Sequence, residues 1–221
     1  MRHETAQVYV STATDSDAFE NALLAQASAL PGRHRVALSR NLQGSWGAGD
    51  YTLDLLTDEA GDAGKTLDGL ARVPGIERLD AAVCGHVVGS GTRAPNLSGG
   101  VWRTLMLHVR DEAGAIRTSA LEQDLLMMPA FIPSIRNWRL TRIAAPGAWT
   151  HVWQQEFAHV DDLLGEYLMH PYHWGWVDRW FDVESPDWTV DAISHAFCPL
   201  ASSLLAGTPI PIQETRRCER S

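Results

Sequence analysis

The sequence predicts an α+β chain in which two βαββαβ units follow one another and close into a single barrel. Three observations carry this. The segment "LPGRHRVALSR" (30–40) aligns without gaps to "IPSIRNWRLTR" (132–142), setting Pro31, Leu38, Ser39 and Arg40 opposite Pro133, Leu140, Thr141 and Arg142. Around each segment the same order of strand-like and helical stretches recurs. Between them lies "GSGTRAPNLSGG" (89–100), rich in turn residues and without an apolar face. A βαββαβ unit is the ferredoxin-like arrangement, a four-stranded antiparallel sheet with both helices on one face. The bare face of each sheet needs a cover, and the other unit supplies it. Tandem ferredoxin-like repeats thus form an intramolecular α/β barrel, with a space between the sheets where a ligand is expected.

In the first unit the strand "AQVYVS" leads to the helical stretch "DAFENALLAQASAL", then to the 30–40 segment and the strand "DYTLDLLTD". A second helix and the strand "RLDAAVCGHVV" complete it. In the second unit the matching elements are "RTLMLHVR", "TSALEQDLLMMPAF", the 132–142 segment, "AWTHVWQQEF", the helical stretch around "EYLMHPYHWGWVDRWFD" (166–182) and "TVDAISHAFC". The expected organisation is a degenerate half over 1–88, a linker over 89–100, a half bearing the site over 101–200, and a C-terminal tail over 201–221. Aligning Pro74 with Pro171 sets Leu70, Val73 and Ile76 against Tyr167, His170 and His173, so the polar groups belong to the second half. Eight of the nine tryptophans lie there too.

The chain has 221 residues, 45% of them apolar and 20% charged, enough to bury a core without disulfides. Cys84, Cys198 and Cys218 lack CxxC spacing and are expected as reduced thiols. A net charge of −9 opposes phosphate backbones, so no nucleic-acid partner is expected. No apolar run reaches the roughly 20 residues of a membrane helix, and the first residues show no signal-peptide pattern. The expectation is a cytoplasmic protein that meets no membrane and binds a small-molecule substrate or ligand.

Pro171 fits a first helical turn and disfavours helical backbone at His170, so Tyr167 is expected near the end of one helical segment and His173 at the start of the next. Imidazole is mostly neutral at pH 7 and tyrosine stays protonated, which suits His173 as base and Tyr167 as hydrogen-bond donor. His170 and His173 are three apart, with His151, Asp178 or His195 as further conceivable metal ligands, but Pro171 disrupts the shared face and no metal is expected. On "THVWQQEF", alternation puts His151, Trp153, Gln155 and Phe157 on one face and leaves open which face is buried under helices. His108 alternates with Met106 and Thr104 on the preceding strand and is a candidate lining residue. Trp174, Trp176 and Trp180 do not share one helical face, and packing is expected for at least two of them.

The "IP" before a strand, the "TH…EF" strand and "YLMHPYH" together resemble the stress-responsive A/B barrel (Dabb) family of dimeric α/β barrels. The likeness covers nearly the whole second half and, in the first, only element order and the Pro…Leu-Ser-Arg segment. Most members pair two chains, so this chain is expected as a monomeric pseudo-dimer or a homodimer. The resemblance to olivetolic acid cyclase-type members implies catalytic roles for Tyr167 and His173, with His151 as a supporting group. His170, Trp153, Trp174 and His108 are taken as substrate-binding. The first-strand histidine of those cyclases falls near Thr104 here, a departure from the pattern that bears on both substrate and reaction. The implied function is a cofactor-independent, cyclase- or lyase-like enzyme acting by general-base chemistry on a small apolar carbonyl-bearing or polyketide-like molecule. Alternatives are cofactor-free oxygenation and simple ligand binding. A heme, as in related barrels, needs a large apolar cavity in a longer chain, and no cofactor is expected.

Overall fold

The computed structural model describes residues 1–12, 15–58, 67, 69–144 and 147–207. The first half contributes β1 (Arg2–Val10), α1 (Ser16–Ser28), β2 (Arg33–Arg40), β3 (Tyr51–Thr57) and β4 (Ile76–Thr92). The second contributes β5 (Ser98–Val109), α2 (Gly114–Phe131), β6 (Asn137–Ile143), β7 (His151–Phe157), helical turns over 160–180, and β8 (Val190–Ser202). The second helix expected in the first half falls mostly on residues 59–66 and 68, outside the described residues.

Eight strands form one sheet in the order β2-β3-β1-β4-β6-β7-β5-β8. Each half keeps the same internal order, second, third, first and fourth strand, and the halves join where β4 pairs antiparallel with β6. The remaining edge is closed by the segment after β2. Leu42 N donates to Phe197 O at 2.8 Å, and Trp46 and His195 exchange two 2.8 Å backbone bonds. The barrel is nearly closed in this way: β2 itself pairs only with β3, and a cleft of about 280 Å³ remains between residues 35–39 and 199–202.

Local chemistry sets the helices. Asp15 caps α1 by accepting from Ala18 N at 3.0 Å, and Phe19, Leu23 and Ala27 at i, i+4 spacing form its buried stripe. In α2 the stripe is Leu121, Leu125 and Met128, with Pro129 in the last turn. The Arg40 and Arg142 that match between the repeats act alike. Each ties the end of its second strand to the first helix of its half, at Ser16 (2.5 Å) and Glu122 (2.6 and 2.8 Å).

The linker expected over 89–100 shrinks to 93–97, because β4 runs through Thr92 and β5 begins at Ser98. Gly99 takes a positive φ of 69°, while Gly91 and Gly100 serve close packing. A Cβ on Gly91 would lie 2.1 Å from the Trp138 ring, and one on Gly100 would lie 2.2 Å from Phe157 O. At the other end, β8 continues to Ser202, and Leu204 N and Leu205 N donate to buried Glu156 at 2.6 and 3.0 Å. The tail therefore begins later than residue 201, and residues 208–221 lie outside the described residues.

The space between the sheets is filled. His3, Asp54, Arg139 and Gln154 meet there across the two halves, with Trp102, Met106 and Val152 packed beside them. Polar side chains tolerate this burial because they bond one another across strands. The two large apolar clusters lie outside the barrel wall, under the helices. One, in the first half, gathers Phe19, Leu23, Tyr51, Leu70 and Val73; the other, in the second, gathers Leu105, Leu125, Trp153, Phe157 and Tyr167. Cys84 and Cys198 are free thiols on β4 and β8, and Cys218 lies outside the described residues.

Candidate functional site

The helical stretch breaks at His170, as Pro171 demands, into residues 160–169 and 171–180. Asp162–Tyr167 and His173–Val177 are wound as π-helix, a wider turn that is uncommon and concentrates at functional sites. The break turns the two segments toward the sheet, bringing the rings of Tyr167 and His173 to 4.8 Å between centroids in an edge-to-face arrangement. Both line a cavity of about 230 Å³ between these helices and the outer face of β5 and β8. This cavity lies under the helices of one half, and not between the sheets where the repeats suggested a space, because polar and apolar side chains occupy the barrel interior.

Most of the cavity wall is apolar: Leu105, Leu125, Leu168, Val177, Phe181 and Ile193. Its polar members are Arg103, Tyr167, His173, Asp178 and His195, and Trp46 reaches across from the first half. Arg103 donates through Nε to His195 Nε2 at 2.7 Å and through Nη1 to Gln155 Oε1 at 2.6 Å, with its guanidinium 5.1 Å from the Tyr167 ring centre. Among the described residues no carboxylate forms an ion pair with it.

The electrostatics follow from that buried charge. Burial, then the Arg103 charge and His170, pull His173 down to about 4; burial, Arg103 and His173 take His195 to about 3. Both imidazoles are neutral at pH 7, as His195 must be to accept from Arg103. Burial raises the Tyr167 hydroxyl despite the nearby Arg103, so it remains a donor, and its one weak acceptor is Met128 Sδ at 3.9 Å. Burial also raises Asp178, with Arg103 opposing. Asp178 Oδ1 lies 3.5 Å from His173 Nδ1, a buried nitrogen without a hydrogen bond. That carboxylate is placed to orient the ring and to stabilise it once protonated.

The other sequence candidates lie away from the cavity wall. His151 faces the helices but bonds Glu122 at 3.0 Å and Thr150 at 2.9 Å, in a cluster completed by Arg142. Trp153 is fully buried in the helix–sheet core. His108 pairs with Asp191 at 2.7 Å, while its strand neighbours Thr104 and Met106 point into the barrel. Half-buried His170 accepts from Tyr172 N at 3.1 Å. Trp174 is 58% and Trp176 is 53% exposed, so only Trp180 of the three packs in the core; it donates to Asp124 at 2.9 Å. Arg103 and His195 are the residues that sequence reasoning underrated. Among the described residues no group of three or more His, Cys, Asp or Glu is placed to hold a metal. An apolar cavity of about 150 Å³ accommodates benzene, so about 230 Å³ holds roughly nine non-hydrogen atoms. A heme has several times as many and does not fit.

Residues 101–191 match the model of the Stress responsive A/B Barrel Domain family. No curated protein matches the chain. Among solved structures, an anthrone oxidase-like protein is similar at a TM-score of 0.61 and 10% identity, covering 96% of both chains. A chlorite dismutase from Candidatus Nitrospira defluvii, in complex with imidazole, gives 0.56 and 9%, covering 91% of this chain and 90% of that one. At such identities these likenesses establish the fold, which extends over both halves. No helix among the described residues is long and apolar enough to cross a membrane.

Proposed function

We propose that the chain is a cofactor-independent enzyme that removes a proton beside the carbonyl of a small, largely apolar molecule. The observation that carries this reading is the convergence of His173 and Tyr167, rings 4.8 Å apart, on one apolar cavity. His173 takes the proton from the carbon. Tyr167 and Arg103 donate to the carbonyl oxygen as it gains charge, and Asp178 balances the imidazolium. Placed donors in a water-poor site act strongly because they need no reorganisation as charge develops. A base held at about 4 is weak in the empty cavity, but negative charge arriving beside Arg103 cancels one cause of that depression and raises it toward the useful range. The resulting carbanion closes a ring or eliminates a group, according to the substrate.

A second reading, in which the carbanion reacts with O2, is favoured by the likeness to the anthrone oxidase-like protein. Oxygen uptake coupled to turnover distinguishes the two. The direct test is deuterium uptake at the α-carbon of phenylacetone in D2O, followed by NMR. The protein is expected to accelerate it, and His173→Asn to lose about 10²-fold or more of that acceleration. Equal rates with the two proteins would overturn the assignment.

A further inference from the structure

Arg103 is a cation in an unusual position. Its residue is 4% exposed, and both groups it donates to, the His195 ring and the Gln155 amide oxygen, are neutral. The aromatic face beside it, Tyr167, is neutral as well. Burying a guanidinium without a counter-charge costs several kcal/mol even after relaxation, so buried charges are normally paired. Inside the barrel this holds for Arg35, largely buried, which has the Asp54 carboxylate at 2.8 Å. At the cavity, by contrast, Arg103 has no ion pair among the described residues: half-exposed Asp178 acts on it only from beyond ion-pair distance, and its hydrogen bonds go to neutral groups.

We infer that the ligand of this cavity is a small monocarboxylate with an apolar body, its carboxylate seated on Arg103. The inference rests on the cavity being the binding site and is independent of proton transfer. The geometry suits such a molecule. The bonds through Nε and Nη1 fix the guanidinium plane and leave Nη2 for the ligand, so the planar fork is oriented before anything binds. His195 has no charge of its own to contribute and acts as a positioning residue, holding Arg103 by accepting from Nε. The body of the ligand meets Leu105, Leu125, Val177, Phe181 and Ile193. Room for roughly nine non-hydrogen atoms admits a carboxylate plus a single ring or a short branched chain, and excludes a nucleotide or a long acyl chain. Asp178, at the rim with its side chain 51% exposed, disfavours a second negative group on the ligand and so selects a monoanion.

The test compares isosteric pairs on the full chain by calorimetry: phenylacetate against 2-phenylacetamide, and hexanoate against hexanamide. The carboxylate of each pair is expected to bind at least about tenfold more tightly, the usual worth of a charge-assisted bond. Arg103→Gln is expected to erase that preference while still taking up the amides. Equal affinity for carboxylate and amide in the unaltered protein overturns the inference and leaves the cavity as a binding site for neutral molecules. Failure of all four compounds to bind at millimolar concentration overturns the cavity reading itself. Both outcomes are measured on the unaltered protein, so they hold even where removing a buried arginine prevents folding.

Discussion

Inside the barrel, the pair of His3 and Asp54 makes stability depend on pH in a direction opposite to that of most histidine burial. His3 Nε2 lies 2.5 Å from Asp54 Oδ2; His3 is 8% exposed and Asp54 fully buried. Burial and Arg139 pull the imidazole down. The Asp54 carboxylate, supported by Cys84, outweighs them and raises it from 6.5 to about 9. A group whose pKa is raised on folding stabilises the protein fully below its unfolded value, and that stabilisation fades as pH climbs through the folded value. Between pH 6.5 and about 9 the folded state holds one proton more than the unfolded one, so stability falls by about 1.4 kcal/mol per pH unit, and by about 3 kcal/mol over the window. With a urea m-value of about 2–3 kcal/mol/M, the midpoint drops by about 1 M. The assay is a set of urea denaturations from pH 6.5 to 9.5, read by tryptophan fluorescence. Below pH 6.5 the depressed His173 and His195 impose their own loss of stability as pH falls, so the window above 6.5 isolates His3. Asp54→Asn is expected to cost about 3–5 kcal/mol at neutral pH, because Arg35 and His3 lose their shared anion, and to flatten the slope. A midpoint that stays constant from 6.5 to 9, or an equal slope in the variant, would refute the reasoning.

Two further substitutions probe the packing. Gly91→Ala drives a methyl into the Trp138 ring at 2.1 Å and is expected to lower stability by about 1–3 kcal/mol in the same denaturation assay; an unchanged midpoint would mean the strand pair shifts freely there. Glu122→Gln keeps the shape of the acceptor for Arg142 and His151 but removes its charge. Because Arg142 is half exposed, the expected cost is only about 1 kcal/mol, measured as a lowered Tm. Ligand affinity in the cavity should stay within a few-fold in that variant, and a larger change would couple His151 to the site.

The barrel is legible because it is written twice. Matching segments at 30–40 and 132–142 become β2 and β6, each second in its half and each carrying near its end an arginine that holds a helix. The linker length is not legible, because a glycine needed for a close approach looks the same in sequence as one needed for a turn; Trp138 and Phe157, which crowd Gly91 and Gly100, are distant along the chain. Tyr167 and His173 stand out through Pro171 and the clustering of polar groups. Arg103 does not, although a signal exists. It alternates with Val101, Leu105 and Leu107, so a single cation sits on an otherwise apolar strand face. His195, between Ile193 and Phe197, repeats the pattern on the neighbouring strand. Two polar residues on adjoining apolar faces mark a place where something polar must be met.

Divergence between the repeats accounts for the cavity under the helices of the second half having no counterpart at the aligned place in the first. Leu70 and Val73, which align with Tyr167 and His170, are buried among Phe19, Leu23 and Tyr51, so the first half fills with aliphatic and aromatic groups the place where the second keeps its cavity. Two identical chains would carry two cavities or none, whereas a fused pair can close one and keep the other. The filled half still bears on the open one. Its segment after β2 completes the barrel through Leu42 and Trp46, and Trp46 bonds the backbone of the same His195 whose ring holds Arg103. A chain of hydrogen bonds thus runs from the seam through His195 to the buried cation. Loosening that seam should weaken ligand binding even where no residue of the second half has changed. Leu42→Pro tests this: it removes the N–H that bonds Phe197 O without altering a residue of the cavity wall, so a fall in carboxylate affinity is the expected result. If affinity is unchanged, the second half positions Arg103 without the first.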